Sequence, residues 1–171
     1  MKRLGNVIAA SVLGLAGLTA CGGNDSGYGS GSGSAPAASA APAATKLTVA
    51  EVGDFGKIVV DGKGRTVYVF DKDTSGTSNC SGDCLAKWPA VAAGAGTPQL
   101  DGIDASLVST VNRSDGTKQL AIKGMPLYLF ASDSQPGEAK GQAVGGVWWV
   151  VGADGQKITT KPGASGNGYG Y

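Results

Sequence analysis

The sequence predicts an all-β domain made of two tandem, related units of about 60 residues each. Three observations carry that expectation. Short runs of β-branched and aromatic residues are separated by turn signals rich in Gly and Asp. No run shows three turns of amphipathic helical period. One pattern, Y-x-F-x-x-D, occurs twice, at Tyr68 and again at Tyr128.

The elements follow in order. Lys57–Val60 reads as a strand, Asp61–Gly64 as a Gly-rich turn, and Arg65–Phe70 as the returning strand. Asp104–Val108 fits a single helical turn. Thr110–Arg113 is a strand that meets the turn signal Ser114-Asp115-Gly116. Lys118–Ile122 follows that turn, then Gly124, then Pro126–Phe130. Val147–Val151, the turn Ala153-Asp154-Gly155 and Gln156–Thr159 make one more hairpin candidate.

The second half copies the first. Tyr68-Val69-Phe70-Asp71-Lys72-Asp73 aligns with Tyr128-Leu129-Phe130-Ala131-Ser132-Asp133. At the same offset Lys63-Gly64 falls on Lys123-Gly124, Val67 on Leu127 and Trp88 on Trp148. A common register over about 25 positions sets this apart from a chance match of one short motif. Two such units would pack face to face as a sandwich, with a small closed barrel as the alternative. The domain spans residues 46–161, with one copy over about 48–108 and the other over about 109–161.

The ends read differently. Residues 1–20 carry Lys2 and Arg3 ahead of a mostly apolar stretch, Leu4–Leu18, that is too short to span a ~30 Å hydrocarbon core comfortably. They fit an export signal. It closes on Leu18-Thr19-Ala20-Cys21, which resembles the lipobox of bacterial lipoproteins. That resemblance implies cleavage before Cys21, a diacylglycerol thioether on its sulfur, and acylation, for example with palmitate, of the new N-terminus. The alternative is an ordinary secretory signal followed by an incidental Cys. Removing residues 1–20 would leave 12 basic against 13 acidic side chains. In residues 22–45, 20 of 24 are Gly, Ser, Ala or Pro. Residues 21–45 therefore read as a lipidated Cys and a disordered tether, with an r.m.s. span of roughly 25–30 Å. Residues 162–171 read as a loose tail.

The repeat residues resemble the bacterial secreted-repeat lipoproteins marked by a Y-x-[FWY]-x-x-D motif, a family whose role is poorly defined. The likeness covers roughly Thr48–Ile158. It includes Gly64–Asp71, Cys80-Ser81-Gly82-Asp83-Cys84 and Trp88-Pro89 in the first copy, and Gly124–Phe130 and Gly145–Val150 in the second. The second copy lacks the Cys pair. The resemblance implies location and architecture and brings no catalytic residues.

Each candidate site residue has a structural and a functional reading. Tyr68 and Phe70 share one strand face, and Val67 and Val69 the other, so the strand fits burial on both sides. Tyr128 and Phe130 repeat that arrangement. An exposed aromatic ligand platform is the alternative. Asp73 and Asp133 fall where the strands should end, fit for turn capping, with Ca²⁺ ligation as the alternative. Trp88 and Trp148 are equivalent and belong to the core. Trp149 must face the other way, which makes it the candidate surface contact, or else the occupant of a second buried face. Cys80 and Cys84 fit a disulfide in an exported chain. Their alternative is redox or Cu(I) chemistry, with Met125 as a further soft ligand.

These features narrow the function. With no His, Ser-His-Asp and Cys-His nucleophile systems are excluded. A formal charge of +1 gives no electrostatic case for nucleic acid. No G-x-S-x-G or S-x-x-K motif appears. The expectation is a non-enzymatic, lipid-anchored envelope protein on the extracytoplasmic side of the cell membrane, without cofactor or metal, that contacts an envelope protein or a wall glycan. An envelope redox or copper accessory using Cys80 and Cys84 is the second reading. A hydrolase dependent on carboxylates or Lys is the third.

Overall fold

The computed structural model describes residues 43–160. The signal sequence, Cys21, most of the tether and the tail expected from the sequence lie outside them. The described chain is mostly strand: β1 (Lys46–Glu51), β2 (Lys57–Asp61), β3 (Tyr68–Phe70), β4 (Gln99–Asp101), β5 (Val108–Asn112), β6 (Lys118–Ile122), β7 (Met125–Pro126) and β8 (Trp148–Val150). One helix of five residues, α1 (Asp83–Lys87), and three single 3₁₀ turns complete it. The strands form three small sheets, β2-β1-β4, β3-β8 and β5-β6-β7, and no closed barrel. All-β architecture is therefore the fold, and the barrel alternative is not adopted.

Each copy opens with a hairpin. β1 pairs with β2 antiparallel, Leu47 opposite Asp61, and β5 pairs with β6, Val108 opposite Ile122. The helical turn foreseen before β5 is a 3₁₀ turn, Ala105–Leu107, capped by Asp104 Oδ1 accepting from Ser106 N at 2.9 Å. The next reversal differs between the copies. In the first, Asp61 Oδ1 accepts from Lys63 N and Arg65 N, and Asp61 Oδ2 accepts from the Arg65 guanidinium. In the second, Ile122 pairs with Met125 across just Lys123 and Gly124, at φ 50° and 78°. Two positive φ values are what a tight two-residue hairpin turn requires.

The copies do not merely stack; they exchange strands. Asp71 N donates to Val147 O at 2.8 Å, and the equivalent Ala131 N donates to Lys87 O at 2.9 Å. Val151 N donates to Val67 O at 3.1 Å, and Val91 N to Leu127 O at 2.9 Å. So residues 67–71 of the first copy lie along 147–151 of the second, and 127–131 lie along 87–91. The two halves join at Tyr68 and Tyr128, whose backbone N–H and C=O groups bond reciprocally at 2.8 and 2.9 Å. A pseudo-two-fold axis passes between these tyrosines.

Period-two alternation then sorts the interior into two layers. Val67, Val69, Leu127, Leu129, Val91 and Val151 join Leu47, Val59, Leu120 and Ile122 in an aliphatic layer. Tyr68, Phe70, Tyr128, Trp88, Trp148 and Val150 join Ile58 and Val60 in an aromatic one. The central strands are thus covered on both faces, as their unbroken apolar sequence requires.

Candidate functional site

The motif residues converge at the pseudo-axis. Tyr68 Oη donates to Asp133 Oδ2 at 2.6 Å, and Tyr128 Oη donates to Asp73 Oδ2 at 2.6 Å. Each tyrosine therefore uses the aspartate of the other copy. The second carboxylate oxygen of each Asp closes its own loop: Asp73 Oδ1 accepts from Asn79 N at 2.7 Å, and Asp133 Oδ1 from Lys140 N at 2.9 Å. The loop-capping role expected of these aspartates is present, and the cross-copy bond is added to it. Burial raises the pKa of both carboxylates above the ordinary range, while the phenols that donate to them oppose the rise. Burial and the neighbouring carboxylate push Tyr128 up to about 12 and Tyr68 further still.

Around these pairs the rings form a column with the same symmetry. Trp88 and Trp148 stack at 3.8 Å across the axis. Phe70 stacks on Trp148 at 4.1 Å, and Phe130 lies tilted against Trp88 at 4.4 Å. Tyr68 meets Trp88 edge-on at 5.4 Å, and Tyr128 meets Trp148 edge-on at 5.1 Å, both within the favourable range for such pairs. Tyr68 and Tyr128 are fully buried, and Phe130 is partly exposed. This places the repeated rings in the interior and not on an open platform.

Cys80 and Cys84 form a disulfide with Cα atoms 5.4 Å apart. It closes the loop that leads into α1, a helix the strand-based reading did not foresee. That loop also satisfies a cation the sequence did not mark. Arg113, 7% exposed, donates from Nη2 to Cys80 O at 2.7 Å, and from Nη1 to Ser78 Oγ and Gln119 Oε1, both at 2.6 Å. Ser78 Oγ lies 2.7 Å from Tyr128 Oη, so the disulfide loop, Arg113 and the Tyr128–Asp73 pair form one polar network. A buried Arg at a strand end carries no pattern by which sequence alone could single it out. Among the described residues no group of three or more His, Cys, Asp or Glu is placed to hold a metal ion.

Trp149 faces away from Trp148, as its neighbouring position demands. It is partly buried against the aliphatic layer. Its Nε1 donates to Asp71 Oδ2 at 2.7 Å, and Lys157 Nζ sits 5.9 Å from its ring centroid while also pairing with Asp71 Oδ1. Asp71 has no acidic counterpart in the second copy, where Ala131 stands. This side of the molecule is therefore not duplicated.

A β domain whose two copies complete each other's buried polar groups defines a tandem-repeat module. The chain belongs to a family described as a secreted repeat of unknown function, whose profile matches residues 50–92 and again 109–152, just over half of the chain. Membership places the domain outside the cytoplasm. No curated protein and no solved structure matches the chain. Among the described residues no helix is long and apolar enough to cross a membrane.

Proposed function

We propose that the chain is a lipid-anchored envelope protein, acylated at Cys21, that holds a non-enzymatic binding or structural module outside the membrane. One observation carries the module part of this reading. The polar atoms of the duplicated motif are spent on each other, Tyr68 on Asp133 and Tyr128 on Asp73. A motif consumed in this way builds the scaffold, and contact with the surroundings falls to residues outside the duplication, such as Trp149. The anchoring part rests on Leu18-Thr19-Ala20-Cys21 and on the Gly/Ser/Ala/Pro composition that follows it. Two or more acyl chains give stable membrane attachment where one does not.

Growth of the producing cell with labelled palmitate tests the anchor. The wild-type protein should take up label and sediment with membranes, and Cys21→Ser should do neither. An unlabelled wild-type protein would overturn the anchor. Co-sedimentation of the wild-type protein with purified cell wall tests the contact.

A further inference from the structure

The unduplicated side of the domain carries a surface cleft of about 360 Å³, floored by Val69 and Met125 and edged by Asp71, Lys123, Gln156 and Lys157. That volume lies at the lower end of the range for small-molecule sites. Its charges are unbalanced. Both oxygens of Asp71 are engaged, one by Trp149 Nε1 and one by Lys157 Nζ. Among the described residues the ion pairs do not include Lys123. The cleft therefore holds two ammonium groups against one carboxylate that is already in use.

Lys123 also sits where its backbone disfavours it. It holds φ 50°, and among the described residues Lys123 and Ala143 alone are non-glycine at positive φ. Glycine would occupy that turn position without strain. A bulky residue held in such a conformation points to a role for its side chain. That side chain reaches this cleft.

We propose that the cleft binds an anionic group, carboxylate or phosphate, borne on a sugar or polyol unit of the kind that wall polymers carry. Lys123 supplies the unpaired charge. Lys157, poised between Asp71 and the Trp149 ring, supplies the second donor. The Gln156 amide can donate to and accept from hydroxyls, and Val69 and Met125 provide an apolar floor for the C–H face of the unit. This deepens the envelope reading above and depends on it.

Calorimetric titration of the full-length acylated protein in detergent micelles tests it. The probes are N-acetylmuramic acid for the carboxylate source, glycerol phosphate for the phosphate source, and neutral N-acetylglucosamine. Saturable binding of either anionic probe, with none of the neutral sugar, is expected, and the probe that binds identifies the source. Lys123→Gly should weaken that binding by about tenfold or more while leaving the melting temperature unchanged or higher, because Gly relieves the positive φ. Lys157→Gln should weaken it as well. No saturable binding of either anion, equal binding of the neutral sugar, or an unaltered Lys123→Gly variant would overturn the proposal. Retention of both wild type and Lys123→Gly on purified wall would reject the cleft and leave wall contact standing. Wild-type protein that fails to bind wall would count against the contact reading itself.

Discussion

The phenol of Tyr68 and the carboxylate of Asp133 stand 65 positions apart in the chain and meet at 2.6 Å. The pseudo-axis repeats the bond between Tyr128 and Asp73 at the same length. Both bonds are charge-assisted and buried, the setting in which losing one partner costs most.

Tyr68→Phe removes one donor and leaves the buried Asp133 carboxylate with only Lys140 N. It should destabilise the domain by about 1.5–3 kcal/mol. Combined with Asp133→Ala in a double-mutant cycle read by urea unfolding, it should show a coupling of at least about 0.5 kcal/mol. Strictly additive losses would mean the bond contributes nothing.

Stability should depend on pH on the alkaline side. Unfolded tyrosine ionises near pH 10, whereas Tyr128 in the fold is pushed up to about 12 and Tyr68 higher. Between these values the folded state holds protons the unfolded state has lost, so stability falls as pH rises from about 10 to 12. On the acid side the raised Asp73 and Asp133 have the same sign: stability due to them grows as pH falls from their folded pKa toward about 4. Urea midpoints across pH, with ultraviolet titration of tyrosinate, check both. The Tyr128 and Tyr68 phenols should titrate well above free tyrosine for as long as the domain stays folded.

Thiol titration should find no free thiol at Cys80 or Cys84 before reduction. Cys84→Ser, which opens the loop, should cost roughly 2 kcal/mol, with Cys80→Ser similar. Free thiols protected by added copper would return the soft-metal reading to consideration.

Gly141→Ala should destabilise by about 1–3 kcal/mol. A Cβ there would stand 2.8 Å from ring atoms of both Trp88 and Tyr68, inside the column. Thermal melting reads the loss. An unchanged melting temperature would show that the column is looser than its stacking distances imply.

Much of this architecture is written in local pattern. Val67-Tyr68-Val69-Phe70 announces a strand covered on both sides, and Trp88 and Trp148 announce their equivalence through spacing alone. The disulfide follows from export and a short loop. What the pattern withholds is partnership. Nothing in Y-x-F-x-x-D says whether Tyr68 turns to Asp73 or to Asp133, because that choice is made when residues 67–71 lie along 147–151. α1 was hidden because five residues are too few to show a period. Arg113 was hidden because a single charge beside a turn normally faces water. Its burial depends on Ser78 and Cys80 O arriving from the other copy. Lys123 reads as an ordinary hairpin residue until its φ is known.

The reciprocal Tyr–Asp exchange also limits how this repeat can multiply. A solitary unit would strand one phenol and one acid in its interior, with no mate for either. Chains built from this unit should carry even numbers of it, and an odd one would have to recruit a sister chain to become whole.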